Sequence, residues 1–230
     1  MKKITKYIPT IILTLLCSCS DYLDIVPDNV TTLDIVFNNR NTAERYLANC
    51  YHFVPDHGSV KRIPGMGAGH ECWFYTTNDS HFDNEVSFYI ARGLQNIDAP
   101  YANYWDGEGG SNLPMFRAIR ECNIFLDYVR DQHKVNDLTD SERKRWIAEV
   151  NVLKAYYHFF LFEHYGPIPI VDKALPVSTD PEGVKVTRMP VDQIVDYMVK
   201  LIDDSYKDLP PVITMEATEM GRLTHLHLQY

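Results

Sequence analysis

The residues best equipped for chemistry lie between positions 55 and 110. There the rings of Trp73, Phe74, Tyr75, Tyr101, Tyr104 and Trp105 alternate with Asn78, Asp79, Asp83, Arg92, Asn103 and Asp106. Aromatic faces beside planar polar groups suit a sugar, because the apolar C–H face of a pyranose packs on a ring while its hydroxyls need hydrogen-bonding partners. Trp73 and Tyr75 stand among polar residues and are candidates for holding a glycan, with Asp79 and Trp105 beside them. The competing reading for each ring is packing beneath the loops, and Trp105 opens a Trp-Asp-Gly turn that it could anchor. The carboxylates offer a second chemistry. Asp79, Asp83 and Glu85, or Asp106 and Glu108, could flank a glycosidic bond as a glycosidase requires. Acids this dense are common in loops, however, and the chain has no Gly-x-Ser-x-Gly, His-Glu-x-x-His or Walker motif. No catalytic residue is assigned. His70, His81, Asp79 and Asp83 match no known metal-site spacing and read as solvated loop residues, so neither a metal nor a cofactor is expected.

The segments around this stretch are helical. Gly58, Gly65, Gly67, Gly69, Gly107, Gly109 and Gly110 punctuate residues 55–110, which predicts long loops with short irregular pieces. Before them, Asn41-Thr42-Ala43-Glu44 has the pattern of a capping box. Ala43, Tyr46, Leu47, Cys50 and Tyr51 follow at helical spacing until Pro55. Beyond Pro114, Met115, Ala118, Ile119, Cys122, Leu126 and Val129 form one helical stripe. Thr139-Asp140-Ser141-Glu142 caps a long helix that Gly166-Pro167 ends. Its residues Ala155 to Phe162 are apolar nearly all round, which predicts burial on all sides. Pro167 to Val171 must be extended. Pro190 starts a helix whose face carries Val191, Ile194, Val195, Met198 and Ile202, and Pro210-Pro211 closes it. The helices near 114–131 and 139–165 should pack as an antiparallel pair, and the 190–206 helix should open a second pair with an apolar stripe left exposed. The fold class is mostly α: TPR-like antiparallel helix pairs with long irregular loops, although no TPR sequence repeat is visible.

Bulk composition excludes one partner class. The formal net charge is -9 with no Lys/Arg cluster, which argues against nucleic acid. The amino terminus argues for export. Lys2, Lys3 and Lys6 precede a run from Tyr7 to Leu16 that is too short to span a bilayer. Leu16-Cys17-Ser18-Cys19 then resembles a bacterial lipobox. Residues 1–18 are expected to be a lipoprotein signal peptide, and Cys19 to be lipidated at the mature terminus. Cys50, Cys72 and Cys122 would remain as an odd set with no closed disulfide framework. Cys50 and Cys122 fall on apolar helical faces and read as small core residues. Nothing local marks Cys72 as reactive.

Several segments together resemble the SusD/RagB family of outer-membrane glycan-binding lipoproteins. They are Cys19-Ser20-Asp21-Tyr22-Leu23-Asp24 with Val26-Pro27-Asp28, the stretch from Phe37 to Leu47, Ala118 to Leu126, Ala148 to His158, and Tyr165-Gly166-Pro167-Ile168-Pro169. The likeness runs from Cys19 to about Thr224. It implies a helical protein, lipid-anchored at the outer membrane and facing the cell exterior. It further implies a protein that caps a SusC-like TonB-dependent transporter and binds oligosaccharides without cleaving them. Glycan contacts vary within the family, so no binder is carried over by resemblance. A lipoprotein glycoside hydrolase and a purely structural surface lipoprotein are the alternatives. Residues 19–224 read as an incomplete N-terminal helical domain of this family. His225 to Tyr230 read as an aberrant tail, for which a frameshift, a fragment boundary and a real short variant are all open.

Overall fold

The computed structural model describes residues 32–57, 67–69, 86–107, 113–175, 185–212 and 222–223. The chain divides into two units, Met1–Val36 and Phe37–Tyr230. In the first, helix α1 (Leu33–Val36) is a single turn whose Ile35 and Val36 amides donate to the Thr32 carbonyl. The signal peptide and Cys19 lie outside the described residues.

In the second unit, α2 spans Arg40–Tyr51. Its cap is Asn39, two residues before the expected Asn41. Asn39 has an extended backbone, and its side chain accepts from the Thr42 amide at 3.1 Å. The Arg40 amide, an orphan of the first turn, donates to Asp137 at 2.7 Å. Glu44 therefore does not reach back to a cap; it pairs with Arg40 at 3.0 Å. Within the stretch expected to be loop, a six-residue helix α3 (Val86–Ala91) buries Ser87 and Phe88. This segment contains no Gly or Pro.

Helices α4 (Met115–Arg130) and α5 (Asp140–Tyr165) are the centre of the fold. The α5 capping box between Thr139 and Glu142 is formed, and Gly166 at φ 66° ends the helix with its amide on the Phe162 carbonyl. The short link 131–139 makes the pair antiparallel. Ile119, Cys122 and Leu126 on α4 are buried, as are Leu153 and Tyr157 on α5, and the two helices pack on each other as the stripes required. Arg143 holds the link. Its buried guanidinium donates to the Val129 carbonyl at 2.6 Å and the Val135 carbonyl at 3.0 Å, satisfying the end of α4.

Helix α6 (Val191–Asp203) follows Pro190 and ends three residues short of the expected 206, where a 3-10 turn (Tyr206–Asp208) intervenes. It packs on α5 through buried Ile194 and Met198. Of the stripe expected to stay exposed, Ile194 and Met198 are thus buried against α5, whereas Val191 and Val195 are exposed, as is Val199 one turn further on. The full burial expected of Ala155–Phe162 does not hold, since Phe159 is 48% exposed and Tyr156 is half-buried. Both face an apolar groove of about 600 Å³ whose other wall is Val195, Val199 and Ile202. Among the described residues no helix is long and apolar enough to cross a membrane.

Candidate functional site

Of the candidate glycan contacts Trp73, Tyr75, Asp79 and Trp105, the described residues include Trp105 alone. It sits in a turn whose geometry explains its sequence. The Asn103 side chain accepts from the Trp105 amide at 3.1 Å and donates to Asp106 at 2.6 Å. The Gly107 amide returns to the Asn103 carbonyl. Gly107 has φ 87°, and a Cβ there would lie 2.9 Å from the Pro114 ring, so the position needs glycine twice over. The turn is tied to both central helices. The Met115 amide at the start of α4 donates to the Tyr104 carbonyl, and the Tyr104 amide donates to the Tyr165 hydroxyl at the end of α5. Tyr104 itself is core, with its ring edge-on to Phe160 and His164. Burial pushes its phenol up to about 12, and burial likewise raises that of Tyr165.

This scaffold presents the half-buried Trp105 ring at the surface. Phe116 and Tyr165 meet it edge-to-face at 4.6 and 5.4 Å. The Arg188 guanidinium lies 5.0 Å from its centroid and is aimed by a hydrogen bond to the Pro167 carbonyl at 2.6 Å. Shallow concavities lie on either side of Trp105. One, of about 270 Å³, is lined by Phe116, Arg120, Pro169, Val171, Lys173 and Leu175. The other, of about 440 Å³, is lined by Asp106, Pro114, Phe116 and Arg117. An aromatic shelf rimmed by guanidinium, ammonium and carboxylate groups offers an apolar face together with donors and an acceptor. The Trp105 ring thus packs edge-on against Phe116 and Tyr165 and is half-buried.

The strap 167–175 that walls the first concavity is pinned by a polar cluster within the apolar half of α5. Lys154, 1% exposed, donates to the Asp172 carboxylate at 2.7 Å and to its carbonyl at 3.0 Å. The Tyr197 hydroxyl on α6 donates to the same carboxylate, and Asn123 on α4 donates to the Val171 carbonyl. His158 is fully buried. Its Nδ1 sits 2.7 Å from the Lys154 carbonyl, and its Nε2 lies 3.4 Å from the Val171 amide. Both ring nitrogens are therefore matched by the neutral tautomer with the proton on Nδ1. Burial lowers the imidazole to about 4. Burial also lowers the Lys154 ammonium, against the opposing pull of Asp172. The Asp172 carboxylate is raised by burial, but the Lys154 and Tyr197 hydrogen bonds outweigh that and leave it lowered. Sequence reading passed over this cluster. Its one local signal is the pair of polar residues four apart, Lys154 and His158, inside an apolar run.

Trp73, Tyr75 and Asp79 lie outside the described residues, as do Phe74, Asn78, Asp83, Glu85, Glu108, His70, His81 and Cys72. Tyr101 stacks on Tyr89 at 4.7 Å. Asp106 is hydrogen-bonded within its turn. Among the described residues no group of three or more His, Cys, Asp or Glu side chains is placed to hold a metal.

A family model described as "Starch-binding associating with outer membrane" matches residues 21–220. Among solved structures, the chain is similar to a laminarin-binding SusD-like protein, with TM-score 0.61 and 17% identity over 82% of this chain and 38% of that one. It is similar to a SusD-like carbohydrate-binding protein from Bacteroides fragilis, with TM-score 0.58 and 21% identity over 84% of this chain and 36% of that one. It is also similar to a SusD superfamily protein from Bacteroides thetaiotaomicron, with TM-score 0.58 and 16% identity over 81% of this chain and 39% of that one. At these identities the likeness establishes the fold. The chain spans less than two fifths of the length of each of these three structures. No curated protein matches it.

Proposed function

The chain belongs to the SusD-like family of carbohydrate-binding, outer-membrane-associated proteins, and from that premise we propose that it captures oligosaccharides at the cell surface without cleaving them. The observation that carries this reading is the family match across residues 21–220. The Trp105 shelf supports it chemically, since a half-exposed ring beside Arg188, Arg117 and Asp106 offers what a pyranose needs. Trp73, Tyr75 and Asp79 are proposed as the further glycan contacts. Cys19 is proposed to carry the lipid anchor, with each buried methylene worth about 0.8 kcal/mol, so that two or three acyl chains hold the protein stably at the membrane. We assign the exterior face of the outer membrane as its location and a SusC-like TonB-dependent transporter as the partner that receives the sugar.

A glycan array followed by chromatography of the bound sugar tests the reading. Binding with the sugar recovered intact supports capture. Shortened products would make the protein an enzyme, and silence across the array would leave a structural surface protein. The anchor is tested by Cys19→Ala, which should move the protein from the detergent phase to the aqueous phase. Unchanged partitioning with no acyl mass on Cys19 would refute it.

A further inference from the structure

The concavity of about 270 Å³ beside Trp105 gathers positive charge that the chain as a whole lacks. The sequence has 31 acidic residues against 22 Lys and Arg, yet the described lining of this concavity includes Arg120 and Lys173 and no carboxylate. A third cation, Arg188, lies over the adjoining Trp105 ring at 5.0 Å. Local periodicity produces this sorting. The extended strap after Gly166 turns alternate residues to one face. Pro169, Val171, Lys173 and Leu175 line the concavity, while Asp172 accepts from Lys154 and Tyr197 instead. The segment from 185 runs beside the strap, with the Met189 amide on the Ile168 carbonyl. It too contributes alternate residues, Val186 to the lining and Arg188 to the ring. On α4, Phe116 and Arg120 share a face four residues apart. Glu121, one step round the helix, is engaged by Tyr46 and Arg117. Asp106 lines the other concavity and is held by Asn103 at 2.6 Å. The cations are also placed with donors to spare. Arg120 donates from Nη1 to the Leu175 carbonyl. Both bonds of Arg188, to the Tyr165 and Pro167 carbonyls, leave from Nη1, and a guanidinium has five N–H donors. Lys173 is exposed and makes no hydrogen bond or ion pair among the described residues.

We propose that this concavity binds a uronic acid residue of an acidic oligosaccharide, with the sugar's C–H face on the apolar floor and its carboxylate towards Arg120 and Lys173, Arg188 standing at the rim. The inference rests on the capture reading above and names the substrate class of that site. The floor is Phe116, Pro169, Val171 and Val186. A volume of about 270 Å³ lies just below the range for drug-sized ligands and suits a single sugar residue, so the apolar face and the anion belong to the same residue. A uronate meets that condition, because its carboxylate is bonded directly to the ring. A sulfate ester stands one oxygen further out. The planar guanidinium fork matches the two oxygens of a carboxylate. A neutral glucose residue would fill the floor and leave the cations without a counter-charge.

The test is calorimetric titration of the whole chain with oligogalacturonates, oligomannuronates and oligoglucuronates, each beside its methyl ester, which keeps the sugar and removes the charge. Neutral glucans and sulfated oligosaccharides complete the panel. At least one uronate should bind about tenfold tighter than its own ester, and added salt should weaken it. Lys173→Gln should weaken the uronate about fivefold to tenfold and Lys173→Glu further, with little change for the ester. Arg188→Gln should act in the same direction. Lys200→Gln removes the same charge from an exposed position on α6 and should leave binding unchanged. Lys173 is exposed, so its variants keep the fold, which circular dichroism checks. Equal affinity for acid and ester, tighter binding of neutral glucans or of sulfated sugars, or uronate binding that Lys173→Glu does not weaken would overturn the assignment and leave carbohydrate capture standing. Absence of binding to any glycan in the panel would overturn both.

Discussion

Glu149 is a carboxylate with no exposed surface in the middle of α5, and its removal is the sharpest perturbation the fold offers. It accepts from Arg145 at 2.8 Å, from Arg222 at 3.0 Å and from the Tyr51 hydroxyl at 2.9 Å. Through Arg222 and Leu223, whose amide donates to Tyr51, it ties a distant segment to α2 and α5. Glu149→Gln keeps the volume and removes the charge, leaving the 10% exposed Arg222 side chain against a neutral amide. Breaking a buried pair from one side costs about 3–5 kcal/mol. Arg145 is 23% exposed and can turn to water, and Arg222 retains Glu44 at 3.5 Å. The expected loss is therefore near the lower bound, about 3 kcal/mol. For a chain of this size that is a Tm lower by roughly 6–12 °C. Urea unfolding followed by far-UV circular dichroism measures it. Arg40→Gln is the control. Its pairs with Glu44 and Glu142 are about a third exposed on each side and should be worth less than about 1 kcal/mol each. If Glu149→Gln costs no more than Arg40→Gln, the buried network does not carry the stability argued for it.

Three further outcomes follow from the packing. Leu153→Ala on the inner face of α5 should cost about 2–5 kcal/mol in the same urea assay, and a loss below about 1 kcal/mol would mean that the site is not core. Gly107→Ala should cost about 1–3 kcal/mol, because it adds positive-φ strain and a clash with Pro114; an unchanged urea midpoint would show that the turn relaxes. His158 titrates at about 4 in the fold and near 6.5 in the unfolded chain. Between those values the unfolded chain binds a proton that the fold refuses, so stability should fall by up to about 3 kcal/mol as pH drops through that window. His158→Gln should flatten that slope, and an unaltered slope would assign it to other groups.

What the sequence made legible depended on local signals. Thr139 with Glu142 and Gly166 with Pro167 bracket α5 because caps are chemistry between near neighbours. Pro190 does the same for α6. The first cap falls at Asn39 rather than Asn41, although both side chains are competent. The deciding contact, Asp137 on the Arg40 amide, comes from a segment 97 residues away. Phe159 departs from the expected burial for a different reason. A helix turn that is apolar all round carries no directional signal, so which side stays open depends on how far α6 reaches. Glu149 with Arg222, and Lys154 with Asp172, are pairings across the fold that no periodicity encodes. At the candidate site, the Trp-Asp-Gly turn was readable as an anchor from its glycine alone. The concavities beside Trp105 arise from the strap and Arg188, which approach from far along the chain.

The central claim is carbohydrate capture without cleavage, and calorimetric titration of the purified protein with a panel of starch-type and other oligosaccharides tests it most directly. The account predicts saturable binding to at least one glycan, weakened by Trp105→Ala and by Trp73→Ala, with the sugar recovered at its original length. No heat of binding for any glycan, or recovery of shortened sugar, would contradict it.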